Sequence, residues 1–290
     1  MRYARCVVMV LIALLIATPV LPFSAEEKSE VVEKTFTVKP GSLVKLEGDE
    51  GDIIVKGWKR DEVRVKATKR VWAKSERRAK EILDNIEVSM RRIGDRLLIK
   101  EYDRRRRRDD DFNLLDIFDD DFWSEKGWRS GVVDYELWVP ADLMLDVSGD
   151  EGDVVIDDCD CEIVLSVDEG NVDVSDCGSV SIRITIDEGD VSLYNISGRE
   201  KSLCRIETDE GRIEIDRAEI AELDCATDEG DIMLREIRTE EMWLSTDEGD
   251  IIADYEPAGR NKSHMETDEG DIEIYLPGDA GLQLQLETYD

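Results

Sequence analysis

The chain has 290 residues, 41% of them hydrophobic, enough for a sizeable core in one elongated or two compact units. Asp and Glu outnumber Lys and Arg by 71 to 38, a formal net charge of −33. That balance excludes nucleic acid as a partner, because phosphate binding needs a concentrated basic face to release counterions, and it leaves cations, basic peptides and neutral polymers.

Residues 1–25 have the layout of an export signal. Arg2 and Arg5 precede an apolar run at 7–17, Pro19 and Pro22 break it, and FSAEE offers a cleavage site after Ala25. Phe23 is larger than a signal peptidase usually accepts, so an uncleaved anchor stays open as the alternative and would be the one contact with a membrane. No cysteine stands where a lipoprotein signal needs one. Cleavage removes two bases and brings the mature charge near −35. The expected location is extracytoplasmic: secreted, periplasmic or on the cell surface.

Residues 26–142 read as a non-repetitive N-terminal β portion. Alternating apolar and polar residues predict strands at 35–38, 42–46, 53–55, 62–67, 86–90, 97–100 and 133–139. Ser75 is placed to cap a helix over 76–85, which would cover the first rung of the repeats downstream. The segment 103–130, DRRRRRDDDFNLLDIFDDDFWSEKGWRS, changes composition: five arginines at 104–108 face aspartates at 109–111 and 119–121, the pattern of a self-paired charged loop. Its Phe112, Leu115, Phe118 and Phe122 also have near-helical spacing, which leaves open a face that docks on a partner or membrane.

Beyond residue 142 the chain repeats itself. The triplet Asp-Glu-Gly recurs with its glycine at 51, 152, 170, 189, 211, 230, 249 and 270, and from Gly152 onward the intervals are 18 to 22 residues, the period of a solenoid. Two residues after each glycine stand Ile53, Val154, Val172, Val191, Ile213, Ile232, Ile251 and Ile272; four after it, Val55, Ile156, Val174, Leu193, Ile215, Leu234, Ala253 and Ile274; five before it, Leu46, Val147, Leu165, Ile184, Ile206, Cys225, Leu244 and Met265. Polar residues separate them, so each repeat supplies two short strands with one buried face apiece. No repeat of this length buries its apolar face alone, so successive repeats must stack with parallel pairing. The expected fold is all-β, a parallel β-solenoid of seven rungs over 143–290, continuous with the N-terminal portion as one domain over 31–290. Each Asp-Glu-Gly reads as a corner, since glycine reaches φ > 0 freely and a preceding aspartate bonds the turn.

Few side chains carry chemistry. Cys159 and Cys177 each stand seven residues after a repeat glycine, hence in adjacent rungs about 4.8 Å apart. That spacing suits a disulfide in an oxidising compartment; the alternative is two small core residues, as Cys204 and Cys225 read. His264, the single histidine, reads as a solvent-facing strand residue, and the sequence holds no G-x-S-x-G elbow, multi-His site or glycine-rich phosphate loop. Stacking aligns Asp150, Asp168, Asp187, Asp209, Asp228, Asp247 and Asp268 in one column, with Glu151, Glu169, Glu188, Glu210, Glu229, Glu248 and Glu269 beside it. Paired carboxylates serve glycoside hydrolysis, which keeps a polysaccharide-active β-helix enzyme as the alternative function. Acids that recur in every rung are a rule of the scaffold, however, and no catalytic residue is assigned. The ladder is either screened by salt or bridged by a hard divalent cation: Asp209, Glu210, Asp228, Glu229, Asp247, Glu248, Asp268 and Glu269 are the candidate ligands, Ca2+ the candidate ion, and no other cofactor is expected.

Several segments together resemble a known family: FTVKPGSLVKLEGDEGDIIVKGW (36–58), RRAKEILDNIEVSMRRIGDRLLIK (77–100), DYELWVPADLMLDVSGDEGDVVI (134–156) and the repeated G-D-I/V units. They are similar to the "putative adhesin" family of exported β-strand-repeat proteins, a domain of unknown function related to the heads of auto-transporter adhesins. The resemblance covers nearly all of the mature chain, while the 103–130 loop and the uniform Asp-Glu before each glycine depart from the pattern. It implies an extracytoplasmic β-solenoid without catalytic residues, an adhesin-like binding or structural module for a cell-envelope or surface component, polysaccharide or protein. A divalent-cation-binding structural or sensor protein is the other non-catalytic reading. Finally, LQLQLETYD places Leu286 where Met265 stands one rung earlier, so the last strand has an open edge suited to self-association.

Overall fold

In the computed structural model, which describes residues 26–104, 131–178, 181–198 and 201–278, the alternation becomes strands throughout, with one helix among the described residues. β1 (Glu26–Thr37) leads into β2 (Leu43–Glu47) and β3 (Ile53–Trp58), which flank Gly51. β4 (Glu62–Ala73), α1 (Glu76–Leu83), β5 (Ile86–Ile93), β6 (Arg96–Asp103) and β7 (Gly131–Pro140) come next. Then β8 (Met144–Glu151) and β9 (Val154–Asp157) flank Gly152, β10 (Glu162–Glu169) and β11 (Val172–Ser175) flank Gly170, and β12 (Ser181–Glu188) and β13 (Val191–Ser197) flank Gly189. β14 (Leu203–Glu210), β15 (Ile213–Glu229), β16 (Ile232–Glu248), β17 (Ile251–Glu269) and β18 (Ile272–Tyr275) complete the stack.

Successive rungs pair in parallel and in the register that the apolar columns require. Leu165 lies between Val147 and Ile184, Ile206 between Ile184 and Cys225, and Leu244 between Cys225 and Met265. On the neighbouring wall Ile213 lies between Val191 and Ile232, and Ile251 between Ile232 and Ile272. From Val154 to Ile251 the members of this second column are buried; Ile272 on β18 is 40% exposed, because one of its faces has no rung above it among the described residues. Each fully buried Ile, Leu or Val contributes about 1.5–3 kcal/mol of transfer free energy, so the column is the main source of stability. The prediction of two short strands per repeat holds up to β14. Beyond it, β15, β16 and β17 each run unbroken from one glycine corner to the next.

The N-terminal portion departs from a simple cap in one respect. β2 pairs in parallel with β8 on one side and β6 on the other, and β3 likewise with β9 and β7. The Gly51 rung is therefore inside the stack, directly under the Gly152 rung, although 101 positions separate the two glycines. The β6–β7 rung lies below it, with the segment 104–130 in the chain where the other rungs have their glycine corner. The expected charged loop and its apolar face fall on that segment and lie outside the described residues. Below β7 the direction reverses: β4 runs antiparallel to it, β1 antiparallel to β4, and β5 antiparallel to β6.

The helix forms where the cap predicted it. The Ser75 hydroxyl accepts from the Arg78 N–H at 3.3 Å, Glu76 sits in the first turn, and Ala79 and Ile82 are buried against β4 and β1. It closes the end of the stack through this antiparallel layer rather than by lying on the first parallel rung.

Candidate binding face

The corner is built from five residues, the acid pair, the glycine and one residue on either side. At the glycines from Gly152 to Gly270 the backbone φ is +135 to +154, and a Cβ there would come within 2.0–2.3 Å of the carbonyl oxygen of the glycine one rung earlier. Glycine is thus required twice, by its own conformation and by the rung spacing. Its N–H continues the ladder, donating to the glutamate carbonyl of the next rung, as Gly230 does to Glu248 at 2.9 Å. At three of the four corners where threonine precedes the acid pair, its hydroxyl donates to the glycine carbonyl of the earlier rung: Thr227 to Gly211, Thr246 to Gly230 and Thr267 to Gly249, at 2.9–3.2 Å; the buried Thr208 hydroxyl makes no such bond. The residue after the glycine forms a further ladder. The Asp153 carboxylate accepts from the Asn171 N–H at 2.9 Å, Asp190 from Arg212 at 2.9 Å, Asp231 from Asp250 at 3.0 Å and Asp250 from Asp271 at 2.8 Å.

The Asp-Glu pair faces outward. The glutamates stack in register, Glu169 beside Glu188, then Glu210, Glu229, Glu248 and Glu269, and the aspartates with them are exposed. Asp209, Glu210, Asp228, Glu229, Asp247, Glu248, Asp268 and Glu269 therefore form two exposed columns along one edge. Among the described residues no group of three His, Cys, Asp or Glu side chains is gathered closely enough to hold a metal ion.

A second corner lies opposite. Asp158, Asp176, Asn195, Arg217 and Glu236 occupy equivalent positions, each six residues after its corner glycine, and each has φ between +52 and +60. Asp and Asn tolerate this left-handed conformation better than other non-glycine residues. The next position is a core column, Cys159, Cys177, Ile196, Ala218, Ile237 and Tyr255.

The five described cysteines are all buried and none is in a disulfide, so Cys159 and Cys177, for which the spacing suited one, are two separate thiols. Each turns back on its own corner: the Cys159 thiol donates to the Asp157 carbonyl at 3.4 Å and the Cys177 thiol to the Ser175 carbonyl at 3.0 Å. Hydrogen bonding with Cys161 and then burial raise the Cys159 pKa, while burial pushes Cys177 and Cys204 up to about 12. Thiols held this far from ionising are poor nucleophiles and poor metal ligands at neutral pH.

The outer face of the wall formed by β14, the second half of β15, β16 and β17 carries a row Arg205–Asp224–Trp243–His264, one residue per rung. Beside it runs Glu207–Ala226–Ser245–Glu266. A shallow depression of about 410 Å³ lies next to the Trp243 indole, where the small Ser245 stands beside the ring, with Glu222, Asp224, Leu244, His264 and Glu266 also on its lining. Trp243 is 36% exposed. Arg205 reaches Glu207 at 2.8 Å and Asp224 at 3.6 Å, and His264 Nε2 lies 3.3 Å from Glu266. This wall belongs to the acidic half of the chain: residues 1–142 hold 28 acidic and 28 basic residues, whereas 143–290 hold 43 acidic and 10 basic, the entire net charge of −33.

Residues 156–290 match the sequence profile of the family described as Toastrack DUF4097. Over that span the chain is similar to the Toastrack family. Among solved structures, a "putative adhesin" from Bacteroides fragilis NCTC 9343 superposes with a TM-score of 0.50 at 16% identity, covering 84% of this chain and 97% of that one. A "putative adhesin" from Parabacteroides distasonis ATCC 8503 gives 0.32 at 14% identity over 84% and 97%, and a "putative lipid binding protein" from the same organism 0.30 at 13% over 85% and 96%. The Bacteroides protein shares the fold, and at that identity the likeness goes no further. No curated protein matches the chain.

The corners repeat what the sequence announced, since glycine, acid pair and apolar columns fall where the period puts them. Three features escaped it. The aspartate after the glycine, an acceptor for the next rung's N–H, looked like one more surface acid. The second corner was legible at Asp158, Asp176 and Asn195 but hidden at Arg217 and Glu236, which have no turn signature. The Trp243 depression depends on a cross-rung row of outward side chains, which no repeated residue type marks in the sequence.

Proposed function

We propose that the chain is a non-catalytic, extracytoplasmic binding module that offers the outer walls of its Toastrack solenoid to a cell-envelope or surface component, polysaccharide or protein. The observation that carries this reading is the wall itself. Outward side chains are held in fixed rows by a backbone ladder that continues through the corners, and a rigid display of that kind binds without losing much side-chain and loop freedom. The adhesin names of the structural neighbours accord with it. Export rests on the sequence of residues 1–25, with Arg2, Arg5 and the apolar run after them. The recurrence of the same acids in every rung argues against a polysaccharide-cleaving site, which needs one acid pair set apart from its neighbours.

The test is an array of cell-envelope glycans and surface peptides probed with residues 26–290, followed by incubation of every hit and assay of new reducing ends. Retention without product is the expected result. Release of reducing ends would overturn the reading in favour of an enzyme. Mass analysis of protein from its host should find Glu26 as the N-terminus; a cytoplasmic protein retaining Met1 would remove the extracytoplasmic part.

A further inference from the structure

We infer that the depression beside Trp243 is a docking site for a cationic group, a guanidinium or alkylammonium carried by a basic peptide segment of a partner. The inference rests on the reading of the chain as a binding module and names the chemistry of one of its sites.

The molecule supplies its own template for such a site. Trp58 lies under Arg60 with the guanidinium 4.9 Å from the ring centre, Trp138 under Arg64 at 4.6 Å, Trp72 under Arg70 at 5.6 Å and Tyr194 under Arg217 at 4.4 Å. In each case a carboxylate holds the arginine in place: Glu62 for Arg60 at 3.4 Å, Glu33 for Arg64 at 2.8 Å, Asp134 for Arg70 and Asp216 for Arg217 at 3.2 Å. Ring, cation and carboxylate recur as a unit because the ring quadrupole and the carboxylate attract the same charge from two sides. Trp243 has the ring and the carboxylates, Glu222, Asp224 and Glu266, but among the described residues no lysine or arginine of the chain lies over it. Arg205 is two rungs away by register and already spans Asp224 and Glu207, and His264 is turned to Glu266.

The surroundings favour the same occupant. The whole net charge of the chain resides on the half that bears Trp243, so the field draws cations to this wall and disfavours anions. The small Ser245 side chain leaves room at the ring for the flat guanidinium or the ammonium and its alkyl stem. A neutral sugar ring also stacks on indole and bonds carboxylates, but it draws nothing from that field, and the experiment separates the two.

The experiment is titration calorimetry of residues 26–290 with the peptide acetyl-(Gly-Arg)3-amide in 150 mM NaCl at pH 7.5, with cellohexaose as the neutral probe. Trp243→Ala should weaken the peptide about fivefold or more, Trp243→Phe much less, and the double variant Glu222→Gln with Glu266→Gln, which keeps the ring, also about fivefold. Glu229→Gln, on the corner column away from the depression, should leave the affinity unchanged. The inference is overturned if the peptide does not bind, if Trp243→Ala binds it as the wild type does, or if Glu229→Gln weakens it equally, which would assign binding to the general acidity of the corners. Cellohexaose binding that depends on Trp243, with peptide binding that does not, would also overturn it while leaving the binding-module reading intact. Trp243 is partly exposed, so the alanine variant should retain the wild-type circular-dichroism spectrum, and the ring-retaining double variant decides independently.

Discussion

Gly230 has φ +154, and a Cβ on it would lie 2.1 Å from the Gly211 carbonyl oxygen and 2.6 Å from its carbon. Neither neighbour is the flexible end of a side chain; both are backbone atoms fixed by the ladder above and below. Gly230→Ala must therefore open the rung spacing or break the corner, and the expected loss is about 3 kcal/mol or more in urea unfolding, the range of strained backbone combined with overpacking. Gly259→Ala is the control: its φ of +61 is strained for alanine, but its nearest atoms belong to the flexible Glu240 side chain at 3.9 Å, so about 1–2 kcal/mol should be lost. Equal losses at both positions would show that conformation alone, and not the close approach of rungs, fixes the glycine. Thr246→Val, which removes only the bond to the Gly230 carbonyl, should cost about 1 kcal/mol.

At the scale of the strand, stability comes from columns rather than from individual rungs. Ile232 is fully buried between Ile213 and Ile251, so Ile232→Ala leaves a cavity open to neither side, and about 2–5 kcal/mol should be lost. Glu214, one position along from Ile213, faces outward and meets Arg235 on the next rung, and Glu214→Ala should change stability by less than about 1 kcal/mol. A large loss at Glu214 and a small one at Ile232 would invert the assignment of faces. These faces were legible in the sequence because alternation fixes which side of a strand is buried, and identical offsets from the glycine fix the register. The order of the N-terminal rungs was not legible. Alternation in 97–100 and 133–139 shows a buried face but not which strand lies alongside, so the pairing of β6 and β7 with the Gly51 rung emerged only from the structure. The helix was legible because Ser75 carries a local signal, and its place on the antiparallel layer was not, because nothing local encodes the reversal of β4 against β7. The corner acids were legible as columns, whereas the depression at Trp243 needs outward residues of three successive rungs, Glu222 and Asp224, Trp243 and Ser245, His264 and Glu266, to coincide.

At the scale of the molecule, one half is electrically balanced and the other carries 43 acids against 10 bases. Much of that excess is stacked at parallel-strand spacing: Glu151, Glu169, Glu188, Glu210, Glu229, Glu248 and Glu269 succeed one another in register. Like charges about 4.8 Å apart repel by roughly 1 kcal/mol even in bulk water. Summed along the column, this approaches the stability of a typical domain. The apolar columns and the backbone ladder hold the rungs together against it, and the balance depends on the solution. The Debye length falls from about 30 Å at 0.01 M to about 3 Å at 1 M ionic strength, passing below the rung spacing. The melting temperature should therefore rise by at least about 5 °C between 0.01 M and 1 M NaCl, given about 2–4 °C per kcal/mol for chains of this size. Replacing Glu188, Glu210 and Glu229 by Gln should raise the low-salt melt and flatten the salt dependence. Screening alone gives equal shifts in NaCl, MgCl2 and CaCl2 of matched ionic strength. A calcium shift well above the other two, by mass action on the folded state, would instead show a cation held among Asp209, Glu210, Asp228, Glu229, Asp247, Glu248, Asp268 and Glu269. A melt indifferent to all three salts would mean that the exposed carboxylates splay far enough apart for the ladder to carry no net repulsion.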